Sequence, residues 1–293
     1  MNYEGQIYIP GRAESQSLIL QVTLGCSHNK CTFCSFFKDK PFRVKSYEQI
    51  EQDILEARKL YPYVPSVFLA DGDVVCLSMD RLRPILLKIR EVFPEADHVN
   101  MYGNFRDVYR KSVEELKELK ELGVKMIYTS LESGSDKVLS DIKKGVTSEQ
   151  IIEASRKLDE AGILYSSNII LGLGGVADSD EHVEESIHLI NEMNSYGTGC
   201  MILNPQSGTP LYEDIQSGKF ELPTYRQILE EERRVLTGIK PEKQIYVYSG
   251  GFLPGLQVFV GNLPEDHDIM MQVLKNRENI NSHILDQKLR MNG

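Results

Sequence analysis

From about residue 17, short apolar runs alternate with longer stretches in which apolar residues recur at helical spacing. This alternation predicts six successive strand–helix units. The predicted strands are short and rich in Val, Ile, Leu or Tyr, and they cover residues 18–24, 66–70, 98–102, 125–131, 165–173 and 199–204. Six such units predict an α/β fold whose parallel sheet curls into a partial (β/α)6 TIM-like barrel, with functional loops after the strand carboxyl ends.

The amphipathic stretches between these strands carry their own boundary signals. Three begin with capping boxes, which pair Ser46 with Gln49, Ser112 with Glu115, and Thr147 with Gln150. Gly123 and Gly162 follow two of them, at positions where helices commonly end.

The pattern changes after about residue 205, where a turn-rich stretch precedes a charged helix. The last 50 or so residues predict strand and loop, followed by a helix. We therefore expect a lead-in over residues 1–16, a barrel over 17–238, and a C-terminal extension over 239–293 packed on the barrel. With the barrel beginning near residue 17, we also expect no cobalamin-binding domain before it.

Composition and charge limit the classes of partner that the chain is expected to bind. Apolar residues make up 41% and charged residues 26%, as in ordinary globular proteins. The net charge of −10 argues against nucleic acid as a partner, because phosphates would repel the chain. The sequence has no long apolar span and no signal peptide, so we expect a cytoplasmic protein with no membrane partner.

Three of the five cysteines, Cys26, Cys31 and Cys34, lie within nine positions after the first predicted strand. In a reducing cytoplasm such a group favours a metal or cluster over disulfides. Three thiolates can hold three irons of a [4Fe–4S] cluster and leave the fourth iron open. The alternative is a zinc site with His28 as the fourth ligand.

The two remaining cysteines, Cys76 and Cys200, are most simply buried thiols. For Cys76, which follows the second predicted strand, a role as hydrogen-atom donor is a further hypothesis.

The cysteine loop resembles that of the radical S-adenosylmethionine (radical SAM) superfamily, whose common spacing is C-x3-C-x2-C after the first strand of a partial barrel. Here the spacing is C-x4-C-x2-C, and the aromatic before the last cysteine is present as Phe33. The segment "SLESGSDKVLSDIKKGVT" (130–147) is similar to oxygen-independent coproporphyrinogen III oxidases, methylthiotransferases and the elongator catalytic subunit.

The resemblance implies a set of S-adenosylmethionine contacts. The backbone at Gly72, within "FLADGDVVCLSMDRL" (68–82), would receive the amino group. Glu132 and Lys144 match a polar and a basic residue that contact the cofactor. "NIILGLGG" (168–175) resembles a strand that packs on the adenine, with Asn168 near the ribose and Ile170 and Gly172 in the same motif.

The resemblance also implies the activity. One [4Fe–4S] cluster would cleave S-adenosylmethionine reductively to a 5′-deoxyadenosyl radical, which abstracts hydrogen from a small-molecule or peptide substrate. The electron would come from a donor such as flavodoxin or ferredoxin. Two alternatives stay open: modification of RNA or of a partner protein, and an iron–sulfur or zinc-binding protein without catalysis.

Overall fold

A computed structural model describes residues 1–10, 14–240, 245–250, 259–278 and 282–291. In these residues strands and helices alternate along the chain as predicted. The strands are β1 (Leu18–Gln21), β2 (Thr23–Leu24), β3 (Arg43–Val44), β4 (Ser66–Ala70), β5 (His98–Tyr102), β6 (Val124–Tyr128), β7 (Leu164–Leu171), β8 (Gly197–Ile202), β9 (Ile245–Gly250) and β10 (Phe259–Leu263).

The helices between and after these strands range from one turn to about four turns. They are α1 (Tyr47–Leu60), α2 (Met79–Val92), α3 (Phe105–Arg110), α4 (Val113–Glu121), α5 (Asp136–Asp141), α6 (Ser148–Ala161), α7 (Ser179–Glu192), α8 (Pro210–Gln216), α9 (Tyr225–Gly238), α10 (His267–Glu278) and α11 (Ser282–Leu285). None of the helices in the described ranges is both long and apolar enough to cross a membrane.

The chain divides into two compact units. The first comprises residues 1–29, 36–129 and 153–165. In it β1, β4, β5 and β6 are hydrogen-bonded side by side, and each pair is parallel. Every residue of β4 is buried, as expected of a central strand in a parallel sheet.

The second unit comprises residues 30–35, 130–152 and 166–293. Here β7, β8 and β9 are parallel neighbours, and β10 runs antiparallel to β9. The strand predicted in the C-terminal extension therefore continues the sheet beside β8. Residues 251–258 of that prediction lie outside the described part of the chain.

The local boundary signals are confirmed. Ser46 and Ser112 form reciprocal capping boxes, and Thr147 exchanges the same two hydrogen bonds with Gln150. Gly123 and Gly162 have φ of +99° and +70°, which an L side chain rarely adopts. These helices begin and end where their own sequence dictates.

The structure differs from the predicted elements in several places, including the ends of the strands predicted over 165–173 and 199–204, which are Leu164–Leu171 and Gly197–Ile202. The strand predicted over 18–24 divides at Val22, whose N–H bonds to Ala70 while its carbonyl accepts from Lys45, so β2 pairs with β3 instead. The strand predicted over 125–131 ends at Tyr128. The turn-rich stretch after 205 contains α8, which Thr209 caps by accepting from the Tyr212 N–H.

A buried carboxyl group in the second unit should make stability depend on pH. Burial raises the pKa of Glu231, on α9, from 4.5 to about 7, while its oxygens accept hydrogen bonds from the Gly172 N–H and the Ser179 hydroxyl. The folded chain thus favours protonated Glu231. This contribution to the free energy of unfolding is complete below pH 4.5 and is lost as the pH rises through about 7.

The glutamine in Glu231→Gln does not titrate, so this variant should not lose stability as the pH rises. In the wild type the loss in free energy of unfolding is on the order of 3 kcal/mol between pH 5 and pH 8. Urea unfolding across this range measures it. Glu230→Gln is the matched control, because Glu230 is exposed and pairs with Arg233 on the same helix. An equal decline with pH in wild type and Glu231→Gln would contradict the assignment.

Candidate functional site

Two aspartates flank Gly72 directly after β4, and both are fully buried. Asp71 Oδ2 accepts a hydrogen bond from the Gly25 N–H at 3.3 Å and pairs with Lys40 Nζ at 2.8 Å. A buried carboxylate needs such partners, because desolvation otherwise disfavours its charge. Asp71 thus connects the end of β4 to the start of the cysteine loop.

The second aspartate, Asp73, binds the same loop two residues further on. Its Oδ2 accepts a short hydrogen bond from the Ser27 hydroxyl. Arg106, from α3, donates to Ser27 Oγ at 2.7 Å and to His28 Nδ1 at 2.6 Å, and its Nη2 lies 3.8 Å from Asp73 Oδ2. The residues that follow Cys26 are therefore held by side chains from two different strand ends.

The carboxyl group of Asp107 also belongs to the group of side chains around Asp73 and Arg106. Burial, and then the charge of Asp107, raise the pKa of Asp73 to about 7. Burial alone would raise the pKa of Asp107, but hydrogen bonds with Asp73 and Arg106 outweigh it and lower the pKa. The pair therefore takes up a proton, on Asp73, as the pH falls through about 7.

Cys76 lies beside this pair and donates its S–H to the Asp73 carbonyl at 3.1 Å. Burial, followed by the charges of Asp73 and Asp107, raises the pKa of the Cys76 thiol to about 12. It is a protonated thiol at neutral pH. Cys200 is buried as expected, whereas Cys76 is half-exposed, so the expectation of a buried thiol is wrong for Cys76. Its role as a hydrogen-atom donor stays a hypothesis.

Gly72 is constrained by close packing. A Cβ atom there would lie 2.6 Å from the Phe37 ring and 3.1 Å from the Gly25 carbonyl oxygen. Any other residue would push the cysteine loop away from β4. The structure thus explains why glycine stands between the two aspartates, whatever else its backbone binds.

No disulfide bond joins the three loop cysteines, and each is half-exposed. Phe33, the aromatic of the motif, is half-exposed as well. Three accessible thiols form a soft donor set that suits iron in a cluster, where each thiolate binds a different iron. Within the described ranges no three His, Cys, Asp or Glu side chains are grouped to hold one metal ion.

One form of the zinc alternative uses His28 as the fourth ligand. In the structure Arg106 donates to His28 Nδ1, so this lone pair is occupied and a guanidinium cation lies beside the ring. A second cation is disfavoured there. This contact leaves only the other ring nitrogen for a zinc ion and disfavours a site that includes His28, and the assignment of the three cysteines to a cluster stays a prediction.

Cys31 and Cys34 belong to the second unit, in the short segment 30–35. One turn connects them, since the Cys34 N–H donates to the Cys31 carbonyl at 3.4 Å. Between them, the Thr32 N–H donates to Ile142 at the end of α5, and the Thr32 carbonyl accepts from Leu211 at the start of α8. This segment thus has its own backbone anchors.

Glu132 and Lys144 lie together, as the sequence resemblance implies. Both are buried, and Lys144 Nζ contacts Glu132 Oε1 at 2.7 Å. Glu132 Oε2 also accepts from the Ser130 hydroxyl at 2.7 Å. The result is an overall neutral ion pair in a low-dielectric environment.

The backbone around Glu132 is joined to β7. The N–H groups of Leu131 and Glu132 both donate to the Asn168 carbonyl at 2.9 Å, and the Ile170 N–H donates to the Glu132 carbonyl at 3.0 Å. Glu132 itself adopts φ of +65°, a conformation that costs free energy in a non-glycine residue. These bonds hold its side chain in one place.

His182, on α7, supports the same junction and was missed in the sequence. Its Nε2–H donates to the Ile170 carbonyl at 3.0 Å, and its Nδ1 accepts from Ser133 Oγ at 2.8 Å. Burial lowers the pKa of His182 to about 4, so the ring is neutral. A lone histidine on an apolar helix face gives no sequence signal for this contact.

Alternate residues of β7 share a half-exposed face. Ser166, Asn168 and Ile170 are half-exposed, whereas the residues between them are buried. Asn168 and Ile170 therefore lie on one face of the strand, as an adenosine contact requires. That contact itself stays a prediction.

Gly172, the last predicted contact of the motif, has φ of +83° and packs against protein. A Cβ there would lie 2.7 Å from Ile228, 3.1 Å from Pro223 and 3.4 Å from Leu289. Its N–H donates to Glu231. This packing alone explains the glycine, and a contact with S-adenosylmethionine stays a prediction.

Comparison with known proteins identifies relatives of the chain. The profile of the radical SAM superfamily matches residues 20–190, more than half of the chain. An uncharacterized methyltransferase of Pyrococcus horikoshii is 26% identical over 198 residues, which are 67% of this chain and 41% of that protein. The heme chaperone HemW of Bacillus subtilis is 25% identical over 215 residues, 70% of this chain and 55% of that protein. The chain thus spans about half the length of these relatives.

The fold agrees with a solved structure. Coproporphyrinogen III oxidase of Escherichia coli superposes with a TM-score of 0.55 at 18% identity, over 75% of this chain and 52% of that chain. The predicted α/β partial barrel is confirmed. A methylthiotransferase of Anoxybacillus flavithermus matches in sequence, one of the types that the sequence resembles, and an archaeal Elp3 shares the fold. The chain belongs to the radical S-adenosylmethionine superfamily, a family that uses a [4Fe–4S] cluster and S-adenosylmethionine.

Proposed function

We propose that Cys26, Cys31 and Cys34 hold the [4Fe–4S] cluster and that the enzyme cleaves S-adenosylmethionine reductively to abstract hydrogen from a small-molecule or peptide substrate. The observation that carries this proposal is the set of three half-exposed cysteines, none of them in a disulfide bond, inside the region that matches the superfamily. Their donor chemistry suits three irons and leaves one iron for S-adenosylmethionine.

When bound, the cluster and S-adenosylmethionine supply the one-electron cleavage chemistry that no amino-acid side chain provides. The chain's own residues would bind and orient the cluster and S-adenosylmethionine and shield them from water. The fully buried carboxyls around Gly72 and the closely packed glycine keep the base of the cysteine loop free of bulky side chains. Phe33, between the last two cysteines, would cover the cluster from water.

The Glu132–Lys144 pair suits the methionine part of S-adenosylmethionine. That part carries a carboxylate, an ammonium and a sulfonium, so it matches one cation and one anion fixed side by side. An ammonium has three N–H donors, and Lys144 can bind a second carboxylate while it keeps Glu132. Glu132 would in turn favour the positive groups of the cofactor.

The adenosine part would lie along β7. Asn168 and Ile170 share the half-exposed face of that strand, where an amide can bond ribose hydroxyls and an aliphatic side chain can cover a purine. Gly72 would present its backbone to the amino group. We assign Gly172 to the same motif, where it keeps the end of β7 against α9.

The substrate class follows from charge. A net charge of −10 disfavours a polyanion, so a small molecule or peptide is favoured over RNA. A flavodoxin or ferredoxin in the cytoplasm would supply the electron. We keep residues 17–238 as the barrel, with 1–16 as its lead-in and 239–293 as its extension.

Reductive cleavage is tested by its products. Anaerobically reconstituted protein, given dithionite and S-adenosylmethionine, should release 5′-deoxyadenosine and methionine. Serine at Cys26, Cys31 or Cys34 should abolish release, whereas Cys200→Ala, which removes a buried thiol of β8, should retain it. A colourless protein that holds one zinc and forms no 5′-deoxyadenosine would contradict the proposal.

The cofactor contacts are tested by binding. Lys144→Ala should weaken the affinity for S-adenosylmethionine about 10- to 100-fold, because a buried charge-assisted hydrogen bond is lost. Asn168→Ala should weaken it less, since an uncharged amide is removed. Equilibrium dialysis of the cluster-loaded protein measures both.

The neighbouring variant Lys143→Ala is the matched control, because Lys143 is exposed. Thermal melts would show whether Glu132, left without its partner, unfolds the chain. Wild-type affinity in folded Lys144→Ala and Asn168→Ala would refute these two assignments.

A further inference from the structure

Cys26 lies between two residues that are each bound by a buried aspartate. On one side the Gly25 N–H donates to Asp71 Oδ2 at 3.3 Å. On the other side the Ser27 hydroxyl donates to Asp73 Oδ2. The two aspartates flank Gly72, so a single turn after β4 holds both neighbours of one cysteine.

Each aspartate is fixed by a cation from elsewhere in the first unit. Lys40 Nζ pairs with Asp71 Oδ2 at 2.8 Å, and Arg106 binds Ser27 Oγ at 2.7 Å while it lies 3.8 Å from Asp73. Both aspartates are fully buried, whereas Ser27 is half-exposed. The rigid partners are therefore in the core, and the loop is fastened to them.

We propose that Asp71 and Asp73 are positioning residues for the cluster ligand Cys26: they fix the backbone on both sides of it before the cluster binds. The proposal rests on the function proposed above, because it takes Cys26 as a ligand. A ligand that is already in place loses little conformational freedom on binding, and groups that orient metal ligands commonly change metal affinity 10- to 100-fold.

A purely structural role predicts a different result. If the two aspartates served only to stabilise the first unit, removing a contact with the loop would lower the melting temperature and leave cluster retention unchanged in the folded protein. If they position Cys26, removing that contact lowers cluster retention and leaves the melting temperature of the cluster-free chain unchanged. The two quantities can be measured on the same variants.

Ser27→Ala is the decisive variant, because it removes the hydroxyl from the loop and leaves Asp73, Asp107 and Arg106 paired in the core. Anaerobically reconstituted protein is mixed with an iron chelator, and iron release is followed by absorbance. We expect release about tenfold faster than from wild type. Ser27→Thr, which keeps the hydroxyl, should restore slow release.

Ser35→Ala is the matched control, because Ser35 also directly follows a loop cysteine. Its hydroxyl makes no hydrogen bond in the part of the chain that the structure describes. This variant should release iron at the wild-type rate, and all three cluster-free variants should melt at the wild-type temperature.

Release from Ser27→Ala at the rate of wild type and Ser35→Ala would overturn the positioning role and leave the proposed function intact. Faster release that merely follows a lowered melting temperature would also overturn it. A wild-type chain that takes up no cluster would overturn both proposals, since Cys26 would then not be a ligand.

Discussion

The free-energy cost of burying charged groups is the constraint on which this structure depends. A charge removed from water must be paired and hydrogen-bonded, or it takes up or releases a proton. Asp71 meets Lys40, Glu132 meets Lys144, and Glu232 meets Arg277, each at less than 3 Å. At Asp73, burial and the neighbouring charge of Asp107 instead raise the pKa, whereas hydrogen bonds with Asp73 and Arg106 lower the pKa of Asp107.

These requirements give the loops after the strands their shape. A loop outside a sheet has no ladder to fix it, so its position comes from side-chain and backbone hydrogen bonds. The loop after β4 is held through its aspartates, and the loop after β6 is held by the backbone of β7 and by His182. Function on this fold depends on such loops, because the same barrel serves many reactions.

The sequence predicts the local features well. Capping boxes, helix-ending glycines and short apolar strands are determined by neighbouring residues, and they occur where the pattern places them. The cysteine loop was also recognisable, because its spacing and its position after a strand are local. The partners of that loop were not, since Arg106 reaches Ser27 across 79 residues of chain.

The failures have the same origin. Val22 changes hydrogen-bonding partner because Ala70 and Lys45 meet it from distant segments, and no periodicity reveals that. Glu132 adopts a positive φ while its backbone forms hydrogen bonds with β7, and neither feature is apparent from the sequence. Burial raises the pKa of Asp73 and lowers the pKa of His182, so both side chains favour their neutral forms. The burial of neither residue is visible in the sequence.

The central claim is that three cysteines hold a cluster with one iron open to S-adenosylmethionine. The most direct measurement is the electron paramagnetic resonance spectrum of the reduced, reconstituted protein with and without S-adenosylmethionine. The account predicts a four-iron signal that changes when S-adenosylmethionine is added. An identical spectrum at saturating S-adenosylmethionine would mean that no iron is open to it, and would contradict the account.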